Sequence, residues 1–264
     1  MARSYEGETL QSDRQNENIM IFKELIGVIA GLSPWNFPFF LVARKVAPAL
    51  VTGNTIVIKP SSETPNNAIE FAGLVEKVVI PRGVFNIVTG RGSTVGDKLA
   101  SSEKNGLVSL NGSVSVMKAA SENVTKVSLE LGGKAPAIVA EDADIDLAVQ
   151  AIVDSRVINS GQVCNCAERV YVHESIPGTF TSKLVEAMKQ VKIGNPLEDK
   201  NLDMGPLVSH QALESVDGLV KRAVKAGAEV LTGGKRLDKE KGFFYQILPK
   251  EYPYFNFVKG KAQK

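Results

Sequence analysis

The chain has 264 residues, 44% of them apolar and 23% charged, and a net charge of +2, the profile of a soluble globular protein of one large or two medium domains. Thirty-one basic against twenty-nine acidic residues leave no bias toward nucleic acid or acidic lipid. The longest apolar stretch, Phe37 to Val51, is broken by Pro38, Arg44, Lys45 and Pro48, so neither a membrane span nor, in MARSYEGETLQSD, a secretory leader is expected.

Tyr5 to Leu25 reads as a β-hairpin, ETLQS and NIMIFKEL flanking the polar turn DRQNE. From Gly27 short β-branched runs alternate with helical stretches. Strands are expected at Ile26–Leu32, Asn54–Pro60, Gly83–Gly90, Gly106–Leu110 and Val124–Leu131. Between them, helices are expected at Phe37–Leu50, at Pro65–Lys77 with Ser62 or Thr64 as cap, at Ser93–Ser101, and briefly after Ser113. In the second half Ala135–Val139 and Arg169–Glu174 read as strands. Asp144 should cap a helix running toward Ser160, and amphipathic helices are expected at Thr179–Val191 and Ser209–Ala226. This rhythm predicts an α/β fold, a parallel Rossmann-like sheet covered by helices and followed by part of a second α/β domain. After Gly242, FFYQILPKEYPYFNFVKGKAQK has no clear periodicity and reads as neither a helix nor a strand pair.

The two cysteines lie in Cys164-Asn165-Cys166. Residues two apart are poorly placed for an unstrained disulfide, which favours a reduced, cytoplasmic protein. With two histidines and no zinc-like spacing, no metal site is expected.

Four motifs carry chemistry: Pro34-Trp35-Asn36-Phe37-Pro38 after a strand, Lys59-Pro60-Ser61-Ser62-Glu63-Thr64-Pro65 after the next, Glu130-Leu131-Gly132-Gly133-Lys134, and Gly161-Gln162-Val163-Cys164 followed by Arg169. In this order and at these spacings they resemble the aldehyde dehydrogenase superfamily from about Tyr5 to Tyr245. RKVAPALVTGNTIVIKPS and DSRVINSGQVCNCAERVYV look closest to the bacterial lactaldehyde dehydrogenases.

The resemblance implies oxidation of an aldehyde to a carboxylate with NAD or NADP through a thiohemiacetal and a thioester. Small hydroxy-aldehydes such as lactaldehyde or glycolaldehyde are the expected substrates. It makes Cys164 the nucleophile, where an isolated cysteine would be read as a small core residue, and leaves Cys166 structural. Glu130, a carboxylate at a strand end beside two glycines, becomes the general base. Asn36 becomes the oxyanion donor, where it would otherwise be read only as a helix N-cap, and the two roles are compatible.

Lys59, Ser62, Trp35, Gly92, Gly96 and Ser113 would face the dinucleotide, Ser113 opening a helix toward the pyrophosphate. Arg44, eight residues after Asn36 and four after Phe40, is expected to meet the aldehyde's polar end. The implied domains are an oligomerisation-type hairpin (1–26), an incomplete dinucleotide-binding domain (27–131), a partial catalytic domain (132–245) and a divergent tail (246–264). A homo-oligomer is expected of a full-length form.

The pattern also departs from the family. Its preceding elements and its later E-x-F-G-P loop are missing, so the chain reads as truncated at both ends. The helix after Ser113 is short, and Asp97 adds negative charge beside Gly96. Ser62 stands where NAD-preferring members place a glutamate, which favours use of both nucleotides. The alternative reading is an inactive remnant that binds a dinucleotide or pairs with a complete subunit.

Overall fold

The computed structural model describes residues 5–111, 114–237 and 242–246, and the backbone of 250–251. The chain divides into two compact units, Met1–Leu131 and Gly132–Lys264.

In the first unit, β1 (Glu8–Gln11) and β2 (Asn18–Ile21) pair antiparallel. Asn16 takes a left-handed φ of 66° in the turn, a conformation asparagine tolerates better than most residues. Every residue of both strands is exposed. Then follow β3 (Val28–Leu32), α1 (Pro38–Val51), β4 (Thr55–Lys59), α2 (Asn66–Glu76) and β5 (Phe85–Ile87). A π turn at Gly92–Gly96 leads into α3 (Asp97–Ala100), followed by β6 (Asn105–Asn111), α4 (Val114–Ser121) and β7 (Lys126–Glu130). The five later strands form one parallel sheet in the order β5-β4-β3-β6-β7, so the winding direction reverses between β3 and β6.

Strand alternation sorts the core onto both faces. Ile29, Ile56 and Ile58 pack with Val42, Val46 and Ala49 of α1 and Ala68 of α2. Ala30, Leu32, Val108 and Leu110 pack on the other side with Ala100, Val116 and Ala120. Double coverage is why β3 and β4 read as near-continuous apolar runs. Fully burying one such isoleucine contributes about 2–3 kcal/mol.

Two glycines meet close approaches. Gly106 is the extra residue of a bulge, since Val28 pairs with Asn105 and Ile29 with Leu107, and a Cβ there would stand 2.1 Å from the Ile26 carbonyl oxygen. On Gly31 a Cβ would stand 2.4 Å from Ile58 Cδ1 and 3.4 Å from Lys45 Cδ. Buried Asn54 ties the start of the sheet together, its Oδ1 accepting the amides of Ile26 and Gly27 at 2.7 and 2.8 Å.

The expected caps are corrected here. The N-cap position of α1 is Phe37, so Asn36 stands one residue before it. The N-cap of α2 is Pro65, and Ser62 and Thr64 instead donate to the carbonyls of Gly90 and Trp35, at 3.1 and 3.2 Å.

In the second unit, β8 (Pro136–Val139) pairs in parallel with β9 (Arg169–Val172) across α5 (Ile145–Val157) and a 3-10 turn at Ile158–Gly161. Asp144 caps α5, its Oδ1 accepting from the amides of Asp146 and Leu147. α6 (Pro177–Lys189) packs Phe180, Leu184 and Met188 onto Val139, Val149, Ile152, Val153 and Val172. α7 (His210–Lys225), capped by Ser209, precedes β10 (Glu229–Val230), β11 (Lys235–Leu237), β12 (Phe244–Gln246) and β13 (Lys250–Glu251).

Two expectations fail in this unit. α5 stops at Val157 rather than near Ser160, because Asn159 and Ser160 turn left-handed with φ of 46° and 57°. The segment after Gly242 does form strands, β12 with β11 and β13 with β10, both antiparallel. Tertiary burial of Phe244 and Tyr245 supplies what periodicity lacked. The Tyr245 hydroxyl donates to the Gly234 carbonyl at 2.9 Å. Arg236 binds both Glu214 and buried Asp217. Lys221 and then Arg236 hold the Asp217 carboxyl below its ordinary range. Within the divergent tail, only Gln246 and the backbone of 250–251 fall among the described residues.

Candidate active site

In the first unit the predicted site residues gather at one edge. Trp35 and Asn36 follow β3, Lys59 closes β4 with Ser62 just beyond, Gly92 and Gly96 follow β5, and Glu130 closes β7. They stand at or just beyond the carboxyl ends of the strands, the side on which open α/β sheets receive ligands. Ser113 lies outside the described residues.

Lys59 is buried and donates its Nζ to the Pro60 carbonyl at 2.9 Å, and burial holds its amine below its ordinary range. The π turn rests on its stem, since a Cβ on Gly96 would meet Lys59 Cδ at 3.6 Å and Leu32 Cδ2 at 3.4 Å, whereas Gly92 faces open space. Ser62 Oγ is engaged by Gly90.

Ser33 and Asn111 were not anticipated. They follow the paired residues Leu32 and Leu110 on adjacent strands. Ser33 Oγ and Asn111 Oδ1 are buried with no hydrogen-bond partner among the described residues. Such atoms cost free energy unless something pairs with them.

Alternation along paired parallel strands puts Gly31, Ser33, Ser109, Asn111, Ser128 and Glu130 on the α1 face. Over them lie Arg44 and Lys45. Arg44 Nη2 donates to Glu130 Oε1 at 3.1 Å, a pair that is about half exposed on both sides. Lys45, another residue sequence reasoning missed, is 9% exposed and donates to Ser109 Oγ at 2.9 Å. Burial pushes its amine down to about 8, partly opposed by Glu130 and reinforced by Arg44. The signal was a lysine inside the buried stripe Leu41, Val42, Lys45, Val46, Ala49.

In the second unit, Cys164 is exposed and Cys166 buried. The turn before Cys164 holds three consecutive positive φ values, at Asn159, Ser160 and Gly161. Side chains brace it: Ser160 Oγ donates to the Gly205 carbonyl at 2.8 Å, and Gln162 Nε2 donates to the Asn159 carbonyl at 3.0 Å. Gln162 Oε1 also accepts the Val208 amide at 2.9 Å. This is why a glutamine two residues before Cys164 matters to the motif. Cys166 is held inside by Arg156 Nη1 at 3.2 Å and by the Gly161 carbonyl, which its thiol meets at 3.6 Å.

The end of the third motif lies beside this turn, a Cβ on Gly133 meeting the Cys164 carbonyl oxygen at 3.5 Å. Arg169 fixes that strip with two donations to the Lys134 carbonyl, and Lys134 pairs with Glu168. Among the described residues, no group of three or more His, Cys, Asp or Glu is arranged to hold a metal ion, and no helix is long and apolar enough to cross a membrane.

Comparison with known proteins gives a consistent picture. Lactaldehyde dehydrogenase of Escherichia coli K12 is 61% identical over 248 residues, covering 92% of this chain and 52% of its own length. A crystal structure of lactaldehyde dehydrogenase from Escherichia coli superposes with a TM-score of 0.90 at 59% identity over 94% of this chain and 53% of that one. A 3,6-anhydro-L-galactose dehydrogenase in complex with NAP matches at TM-score 0.87 and 44% identity, over 94% of this chain and 54% of that one. Betaine aldehyde dehydrogenase of Staphylococcus aureus in complex with NAD+ matches at 0.88 and 36%, over 94% and 50%. The chain thus spans about half the length of the curated relatives it matches. The model of the aldehyde dehydrogenase family matches residues 1–248, and this chain belongs to that family.

Proposed function

We propose that this chain carries residues for the NAD(P)+-dependent oxidation of a small hydroxy-aldehyde to its carboxylate, with Cys164 as nucleophile and Glu130 as general base. The observation that carries the proposal is the exposed thiol of Cys164 on a braced turn, with Cys166 buried beside it.

The sheet edge fits a dinucleotide. Ser33 and Asn111 present buried polar atoms with no partner among the described residues, and the π turn leaves open space at Gly92. Lys59, Ser62, Trp35 and Gly96 would complete that surface. When bound, the nucleotide accepts the hydride. The chain's own part begins with the thiolate of Cys164 adding to the aldehyde carbon, while the Asn36 carboxamide donates to the developing alkoxide. Loss of hydride from that carbon leaves a thioester on Sγ. Glu130 then takes a proton from water, whose oxygen attacks the thioester carbon and releases the carboxylate and the thiol. The lactaldehyde dehydrogenase likeness, with Arg44 on the α1 face, supports a substrate bearing a hydroxyl next to its carbonyl.

The unpaired cysteines fit a reducing, cytoplasmic setting. The exposed Leu10, Met20 and Phe22 of the hairpin suit a contact between copies in a homo-oligomer.

The test is aldehyde-dependent formation of NAD(P)H by the purified chain. Cys164→Ala should abolish it and Cys166→Ala should leave it within about threefold, because thiolate attack has no substitute. Equal rates for wild type and Cys164→Ala would remove the assignment, and dinucleotide binding without turnover would leave only a binding role.

A further inference from the structure

The pairing of Arg44 with Glu130 bears directly on when a base can act. These residues are 86 positions apart and meet because α1 lies over the face to which the ends of β6 and β7 point. A carboxylate tied through Oε1 to a guanidinium is held in one orientation beside a positive charge, and is less free to turn to a water and take its proton, although Oε2 is not bonded to the arginine. Neighbouring Lys45 turns inward to Ser109, so Arg44 alone of the two cations meets Glu130 directly.

We infer that Arg44 is a positioning residue that parks Glu130, and that the oxygenated end of the substrate frees the carboxylate by taking the guanidinium for itself. This rests on the proposed reading of Glu130 as general base. The exchange swaps hydrogen bonds only, so no covalent bond or electron changes place. Both partners are about half exposed, with side-chain exposures of 57% and 50%. Exposed pairs favour the bound state by only about 1.5- to 5-fold. That weakness suits an exchangeable latch, because a buried pair would hold the carboxylate permanently. The guanidinium's planar fork also accommodates a carbonyl and an adjacent hydroxyl, or a carboxylate, as readily as Glu130. Arg44 would then couple recognition of the polar end to release of the base, so that thioester hydrolysis is fastest when a hydroxylated acyl group is in place.

The exchange can be read without nucleotide. The full chain carrying Cys166→Ala is acetylated at Cys164 with p-nitrophenyl acetate, and decay of the thioester is followed by intact mass. An acetyl group has no polar end, so Glu130 starts out parked. Arg44→Leu should shorten the thioester lifetime about two- to fivefold, Arg44→Lys should restore slower decay, and Glu130→Gln should lengthen the lifetime at least tenfold, magnitudes set by the strength of exposed pairs and the usual worth of a general base. Sodium lactate, a small hydroxy-carboxylate, should speed decay in the Arg44 form and leave Arg44→Leu unchanged, and its effect on the Arg44 form does not depend on any Arg44 or Glu130 variant folding. If Arg44→Leu decays no faster and lactate has no effect while Glu130→Gln is slow, the latch is wrong and the base stands. If Glu130→Gln decays like the parent, the base reading fails and takes the latch with it.

Discussion

Lys45→Met should change how the stability of this chain depends on pH. Lys45 Nζ is enclosed between α1 and the sheet with one hydrogen bond, to Ser109 Oγ. Burial lowers its proton affinity from the ordinary 10.5 to about 8 in the folded chain. Below about 8 both states hold the proton, and the folded state bears the full penalty of a desolvated charge. Between about 8 and 10.5 the unfolded chain is still protonated while the folded chain is not, so folding releases a proton and stability rises with pH. Each tenfold change in proton affinity is worth about 1.4 kcal/mol, so the displacement from 10.5 to about 8 amounts to about 3 kcal/mol across the window. Methionine keeps the length of the stem and removes the titration. It also strands Ser109 Oγ, at a pH-independent cost of about 1 kcal/mol. Urea unfolding of both forms, at small pH steps across the window, cancels the lysines they share. The difference should move by about 3 kcal/mol in favour of wild type as pH rises. Parallel curves would show that Lys45 is not held in a desolvated site.

Gln162→Ala removes two bonds that brace the left-handed turn and should cost about 2 kcal/mol in unfolding experiments, while altering the rate at which Cys164 reacts with an aromatic disulfide reagent. Unchanged stability together with an unchanged thiol rate would show that the turn holds itself. Ser62→Glu should shift nucleotide choice toward NAD by about tenfold in relative binding constants, because a carboxylate beside the adenosine ribose repels a 2′-phosphate. The same ratio before and after would show that Ser62, held by Gly90, does not face the ribose.

The sheet and the edge that gathers the candidate residues were legible because they depend on local pattern. Three of the four motifs lie at the end of an apolar strand run closed by proline or glycine, so Trp35, Asn36, Lys59 and Glu130 could be placed at strand ends from order alone. The rest depends on contacts distant in sequence. A lysine in a helix is almost always read as solvated, and Lys45 is buried because Gly31, on another element, leaves room for its stem. Asn159 and Ser160 look like ordinary residues at a helix end until Gln162 is seen to bind Val208, 46 positions away. Phe244 and Tyr245 lack strand periodicity because their segment is short and both are buried. The sequence places Arg44 on its helix but does not show its contact with Glu130, since it offers nothing that sets the register of β7 against α1.

That register has a consequence for insertions. Asn111 stands opposite Glu130 and Ser109 opposite Ser128, so the α1 face is defined by every second residue of β7. One extra residue placed between Ser128 and Glu130, with the start of the strand still paired, would turn the Glu130 carboxylate through to the face lined by Leu110 and Val116. No side chain would have been replaced, yet Arg44 would lose its partner and a charge would be pressed toward an apolar layer. At the end of this edge strand, a one-residue length change is therefore a more severe lesion than most substitutions, and spacing between motifs is as much a part of the site as the motifs themselves.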